Sequence, residues 1–338
     1  MKRISALSLT VMAAAVMGLT ACGDKAQDTS KTAAKAEPAK QVVIYTNADE
    51  EAQQAMKNAL DNNGFKGAYL MQSFGTSELG GKLAAEGKNI EADLVTISTY
   101  YIDSFQKKNQ MFQNLTFKTE PINPMPAYYA PILGNTGALF VNTQVLKEAK
   151  LPAPTAIADL AKPEYAGHIS VPDIMGSSTS WLMTQAVLSA QGEETGAKTI
   201  ATIEKNAGSH LEKSGSAPLK KLRAGEAAVG FGLRHQAVAD KAKGLPIDFI
   251  DPVEGNFQLM EAVAVVDKGA QTNANAQKMA ETIIRHGRAE LIKFYPVALY
   301  KGETVSAENK PAKPMLYKEP LTVELLQAHQ KLVKGQNQ

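Results

Sequence analysis

Residues 176–180 read Gly-Ser-Ser-Thr-Ser and stand directly before an apolar run, 181–192, that has helical spacing. One hydroxyl suffices to cap a helix, so Ser177, Ser178, Thr179 and Ser180 exceed what capping requires. The first turn of a helix offers unpaired N–H groups and partial positive charge, to which hydroxyls add rotatable donors. Gly176 lets backbone approach a ligand closely. The chemistry of such a cluster is the binding of an oxyanion. Three further clusters are rich in hydroxyls or amides: Thr46 with Asn47, Thr76 with Ser77 behind Gly75, and Ser98 with Thr99. Each falls where a strand ends or a helix begins, and open α/β sheets bind ligands outside the carboxyl ends of their strands.

Catalysis finds little support in the same residues. The stretch Gly176–Trp181 lacks the second glycine of a G-x-S-x-G elbow, so its serines are not presented on that strained turn. The five histidines, His168, His210, His235, His286 and His329, have no metal-ligand spacing, and no G-x-x-x-x-G-K-[ST] loop occurs.

The elements that position these clusters alternate. A strand at 41–47 feeds a helix that stops near Gly64; a strand at 67–73, a helix at 75–87, a strand at 92–98 and a helix at 100–109 follow. A Pro-rich stretch leads to a strand at 137–143, and helices at 180–192 and 195–208 precede strands at 246–252 and 259–267. Three more helical segments close the chain. Strand and helix alternation predicts an α/β fold with mostly parallel sheets covered on both faces. No internal repeat is visible.

Residues 1–21 carry Lys2 and Arg3 and then an uncharged apolar segment, the layout of an export signal. Its removal leaves basic and acidic side chains equal in number, which argues against nucleic acid as a partner. The stretch 23–40 is small and charged, without apolar periodicity, and reads as a disordered tether. The sole cysteine, Cys22, ends Leu-Thr-Ala-Cys, which resembles the lipobox of bacterial lipoproteins. That resemblance implies cleavage before Cys22, lipidation of its thiol and anchoring to a bilayer on the periplasmic or cell-surface side.

The stretch 159–173, Asp-Leu-Ala-Lys-Pro-Glu-Tyr-Ala-Gly-His-Ile-Ser-Val-Pro-Asp, is followed by a small-residue loop and a helix, and then by Leu-Arg-Ala-Gly-Glu-Ala-Ala-Val-Gly-Phe-Gly at 222–232. This arrangement resembles family 1 extracellular solute-binding proteins of ABC transporters, in the branch of ferric-ion and 2-aminoethylphosphonate binders. The resemblance covers nearly all of residues 41–300. It implies a two-lobed type II periplasmic binding protein with ligand in the interlobe cleft, monomeric, without cofactor, serving an inner-membrane permease. Lobe one is expected at 41–133 and 262–305, lobe two at 138–258 and a closing segment at 306–338, with hinges near 134–140 and 258–263.

Ferric binders of that branch hold iron with tandem tyrosines after the segment matching 225–232, a His after the first strand and an acid after the third. Here those places read Leu233-Arg234-His235, Asp49 and about Ser98. A guanidinium in place of a phenolate repels Fe³⁺. Their anion loop matches 176–180, so the resemblance implies that the anion itself is the ligand, with Arg234 as a fork for a phosphonate or phosphate and His235 as an added donor. For the ammonium of an aminophosphonate, Asp49, Glu50, Tyr100, Tyr129 and Glu261 are candidates, with Trp181 as a stacking wall. The expected ligand is 2-aminoethylphosphonate or a close organophosphonate. A sugar phosphate, Fe³⁺ with a synergistic anion, and a phosphoesterase activity are the alternatives.

Overall fold

The computed structural model describes residues 40–336. The export signal, Cys22 and nearly all of the tether lie outside the described residues. The first strand, β1 (Val42–Thr46), is buried at all five positions, as an uninterrupted apolar run covered on both faces should be. Helix α1 (Glu50–Leu60) turns Ala52, Ala55, Met56, Ala59 and Leu60 onto it, one face at helical spacing. β2 (Tyr69–Ser73), half-buried at the edge, leads into α2 (Thr76–Glu86); fully buried β3 (Leu94–Ser98) leads into α3 (Thr99–Asn109). Parallel pairing of β1 with β2 and β3 places the ends of all three strands, and the starts of their helices, at one edge.

The long strand β4 (Ala130–Asn142) begins inside the Pro-rich stretch, seven residues before the sequence pattern marks it, and is buried throughout. Its side-chain alternation is hidden because both faces are covered. Helix α4 (Thr143–Glu148) is capped by Asn142, whose side chain accepts from Gln144 N and Val145 N. Beyond it come β5 (Ile169–Pro172), α5 (Ser178–Gln191), α6 (Glu193–Ala207), β6 (Leu211–Glu212), α7 (Ala217–Arg223), β7 (Val229–Leu233), α8 (Arg234–Ala242) and β8 (Ile247–Ile250). β9 (Gln258–Val265), α9 (Ala274–Thr282), α10 (Arg288–Phe294) and α11 (Val323–Gly335) complete the chain.

All strands join one sheet in the order β2-β1-β3-β9-β4-β7-β5-β6, with β8 also on β4. The outer strands pair in parallel, but β9 runs antiparallel to β3 and β4, and β4 antiparallel to β7 and β8. The expectation of mostly parallel pairing therefore fails at the centre. β4 and β9 are return strands that carry the chain from one half of the sheet to the other, and a returning strand enters in the opposite sense. Along β4, Ala130–Thr136 pairs with β9, and Gly137–Asn142 with β7 and β8. Helix α11 straps the back: Trp181 Nε1 of α5 donates to His329 Nδ1 at 2.9 Å, and Val323 N donates to Ser104 Oγ of α3 at 3.1 Å. Among the described residues, no helix is long and apolar enough to cross a membrane.

Candidate functional site

The strand ends of the two halves face each other across a cavity of about 450 Å³. The first half supplies Asn47, Asp49 and Glu50 after β1, Thr76 at the start of α2, and Glu261 of β9. The second supplies Ser177, Ser178 and Thr179 at the start of α5, and Lys213 to Ser216 with Lys220. Asn135 lines the cavity from β4, where the halves meet. Two helix starts come almost into contact: Ser77 N donates to Gly176 O at 3.4 Å, and Thr76 Oγ1 lies 3.5 Å from Ser178 Oγ.

The hydroxyls of 177–180 divide their work. Ser177 is the cap, its Oγ accepting from Thr179 N at 3.2 Å. Ser178 and Thr179 line the cavity, whereas Ser180 is fully buried away from it. The 213–216 loop closes over Thr179, and only glycine permits this: a Cβ on Gly215 would lie 1.9 Å from Thr179 Oγ1. The positive ends of α2 and α5 thus meet hydroxyls and exposed Lys213 and Lys220, a donor-rich wall. The start of α1 carries three acids, Asp49, Glu50 and Glu51, that answer its dipole, and that of α2 carries one, Glu78, which accepts from Gly75 N at 3.4 Å, whereas α5 has none in its first turn.

The opposite end is rich in acceptors. Glu261, 4% exposed, accepts at Oε1 from Asn47 Nδ2 (3.0 Å) and Asn135 Nδ2 (3.3 Å). Asn47 Nδ2 also donates to Thr76 Oγ1 at 3.0 Å. The amide oxygens of Asn47 and Asn135 and Oδ1 of Asp49 are buried with no donor. Burial pushes the Glu261 carboxyl up to about 7, and the nearby Asp49 charge adds to this against the Asn47 hydrogen bond. Burial likewise pushes Asp49 up to about 6, assisted by Glu51 and opposed by the amides of its own turn and by Lys220.

Both carboxyls hold protons more tightly folded than unfolded, so their contribution to stability is full below the unfolded values near 4 and is lost as pH rises through 6 and 7. The melting temperature of ligand-free protein is therefore expected to fall between pH 5 and pH 8, as scanning calorimetry would record. The double substitution Asp49→Asn, Glu261→Gln should flatten that slope.

A family model for bacterial extracellular solute-binding proteins matches residues 92–295, from β3 through β9 and α10. The chain belongs to that family. The spermidine/putrescine-binding periplasmic protein of Escherichia coli K12 is 26% identical over 209 residues, which cover 57% of this chain and 58% of that relative. The chain thus matches little more than half the length of this curated relative. Among solved structures, the fructose-6-phosphate-bound periplasmic binding protein AfuA of Actinobacillus pleuropneumoniae superposes with a TM-score of 0.70 at 18% identity, over 87% of this chain and 97% of that one. Iron-bound HitA of Pseudomonas aeruginosa gives 0.68 at 16% identity, over 88% and 100%. These likenesses establish a two-lobed periplasmic-binding-protein fold.

Of the residues that the sequence marks, this solute-binding protein brings Asn47, Asp49, Glu50, Thr76, Ser177, Ser178, Thr179 and Glu261 to the cavity. Thr46 is buried beneath it, accepting from Ala48 N and Thr96 Oγ1, and so shapes the turn that presents Asn47. Ser77 contacts the opposite helix start through its backbone; Ser98 and Thr99 lie outside the cavity. Tyr129 is buried against Met125, and Tyr100 packs edge-on to Trp181, so neither ring reaches the cleft. Trp181 is fully buried and is not a wall of the site.

Arg234 and His235 are displaced from their expected role. Leu233 lines the cavity, but the Arg234 side chain turns away and is 4% exposed. Its Nε and Nη2 donate to Asp251 at 2.7 and 3.1 Å, its Nη1 donates to Glu308 O at 2.6 Å, and its guanidinium covers Phe249. Burial opposes the charge of Asp251, but Arg234, Ala312 N and Asn256 outweigh it and hold that carboxyl below its usual range. His235 packs against Tyr295, the ring centroids 4.7 Å apart and the planes tilted by 56°, and burial pushes its imidazole down to about 3, so it stays neutral. Asn135, Lys213, Lys220 and Glu78 are among the cavity residues that sequence reasoning missed. Asn135 sits mid-strand in an apolar run without a motif, and the lysines resemble any solvated face.

Proposed function

We propose that this solute-binding protein captures a small zwitterion carrying a phosphoryl oxyanion and an ammonium, of which 2-aminoethylphosphonate is the best fit. The observation that carries this reading is the polarity of the cavity. One end has unpaired acceptors around Glu261; the other has helix starts, hydroxyls and lysines. A phosphonate satisfies the donors of Thr76, Ser178 and Thr179, and an ammonium two carbons away satisfies the acceptors. Both halves of the sheet contact one ligand, so binding favours approach of the lobes about the crossings near 134–140 and 258–263. Lobe one is taken as 41–133 and 262–305, lobe two as 138–258.

The protein is proposed to act outside the cytoplasm, anchored through Cys22, and to pass its ligand to an ABC permease rather than transform it. Fe³⁺ is disfavoured because the place of the ferric binders' tandem tyrosines reads Leu233-Arg234-His235, without a phenolate, and Lys213 and Lys220 line the cavity. A polyamine is the second reading, favoured by the four carboxylates of Asp49, Glu50, Glu78 and Glu261 at the cavity. It leaves Lys213, Lys220 and two helix starts facing a cation.

Isothermal calorimetry against 2-aminoethylphosphonate, ethylphosphonate, putrescine, fructose 6-phosphate and Fe³⁺ tests the proposal. The aminophosphonate is expected to bind tightest, with ethylphosphonate at least ~10-fold weaker, about 1.4 kcal/mol, for want of the ammonium. Tighter binding of putrescine, of the sugar phosphate or of Fe³⁺ would overturn it.

A further inference from the structure

The orientation of the two asparagine amides at the acceptor end is not free. Asn47 Nδ2 donates at 3.0 Å, and Asn135 Nδ2 at 3.3 Å, to the same Glu261 oxygen. With Glu261 ionised, as a bound cation requires, flipping either amide would set a carbonyl against a carboxylate, so the amide oxygens are the atoms left over, and both are buried without a donor. Asn135 is 7% exposed and lines the cavity beside Glu261 and Asn47. A buried acceptor without a partner costs free energy until something donates to it.

We propose that this end of the cavity is a filter for unsubstituted ammonium: the three N–H bonds of an –NH3+ group are received by Glu261 and by the amide oxygens of Asn47 and Asn135, and N-methylated analogues are refused. The filter rests on the reading that the ligand carries an amine, whatever its other end. Each methyl replaces a donor and leaves an acceptor buried and unpaired. Sites built to hydrogen-bond a substrate group reject analogues that lack it far more strongly than an apolar pocket rejects an extra methylene. A trimethylammonium requires a cage of aromatic faces instead. The aromatic side chains at the cavity are Phe74, paired with Tyr45, and Tyr295, paired with His235, and they do not form such a cage with Trp181 or Tyr100, which lie outside it.

The test is calorimetry of the full chain with two ligand pairs: 2-aminoethylphosphonate and its N,N,N-trimethyl analogue, and putrescine and its analogue trimethylated at both nitrogens. The primary amine is expected to bind at least ~10-fold tighter than its methylated partner in every pair that binds. Asn135→Leu, which is near in volume, should shrink that ratio while leaving a cooperative melt. Discrimination within the putrescine pair, with both phosphonates silent, would sink the aminophosphonate reading and keep the filter. A ratio below ~10 in either binding pair, an unchanged ratio in Asn135→Leu, or no binding by any of the amines would overturn the filter.

Discussion

Replacing Arg234 by alanine is expected to lower the free energy of unfolding by about 3–5 kcal/mol, because it strands a buried carboxylate. Asp251 is the pivot of a small network, accepting from Arg234, from Asn256 Nδ2 at 2.9 Å and from Ala312 N at 3.0 Å. Asn256 in turn donates to Gly137 O at 2.9 Å, on β4 next to the crossing. Removing the guanidinium therefore loosens the packing of the 306–314 segment on the second half of the sheet, and urea denaturation should show the loss. Ligand affinity, measured well below the new transition, should stay within about twofold, since no Arg234 atom reaches the cavity. A tenfold loss of affinity with stability unchanged would instead return Arg234 to the site, in the role its sequence position implies.

Glu261→Gln is expected to do the reverse. Truncating one partner of a buried, hydrogen-bonded charge pair costs about 2–5 kcal/mol of binding, or at least ~30-fold in Kd. The glutamine oxygen can still accept from Asn47 and Asn135, so the ligand-free fold persists, and at pH 8 it should melt higher than the parent because a desolvated charge is gone. In the parent, a cationic ligand requires the ionised carboxyls. Its affinity should thus rise as pH climbs from 5 to 8, through the values near 6 and 7 held by Asp49 and Glu261. Calorimetry of both proteins across that range separates the two contributions: the slope should be shallow in the variant.

Much of the first half of the sheet is legible in the sequence because its strands are short, apolar and punctuated by capped helices. β1, α1, β2, α2, β3 and α3 fall within a few residues of where periodicity places them. β4 is not, because prolines precede it and burial on both faces erases alternation. β5 and β7 hide for a related reason: strands of four or five residues buried at every position carry no period. Gly230 and Gly232 of β7 make room for the ring of Phe140, a packing need that no local pattern announces.

The hydroxyl cluster at 177–180 is legible because it exceeds what one cap requires, and Ser177, Ser178 and Thr179 of it line the cavity. The position of Arg234 misleads because chain order fixes which strand end it follows, and not which way its side chain turns. A buried partner seventeen residues on, Asp251, decides that. Asn135 is silent in sequence, since a polar residue inside a central strand becomes informative only when the amide it spends on Glu261 is seen.

The central claim is that the cleft holds one ligand by two ends of opposite charge. A crystal structure of the protein with 2-aminoethylphosphonate tests it most directly. The account predicts the nitrogen within hydrogen-bond distance of Glu261 and the Asn135 amide oxygen, and the phosphonate oxygens on Thr76, Ser178 and Thr179. Density showing the nitrogen in solvent, or the phosphonate turned toward Glu261, would contradict it.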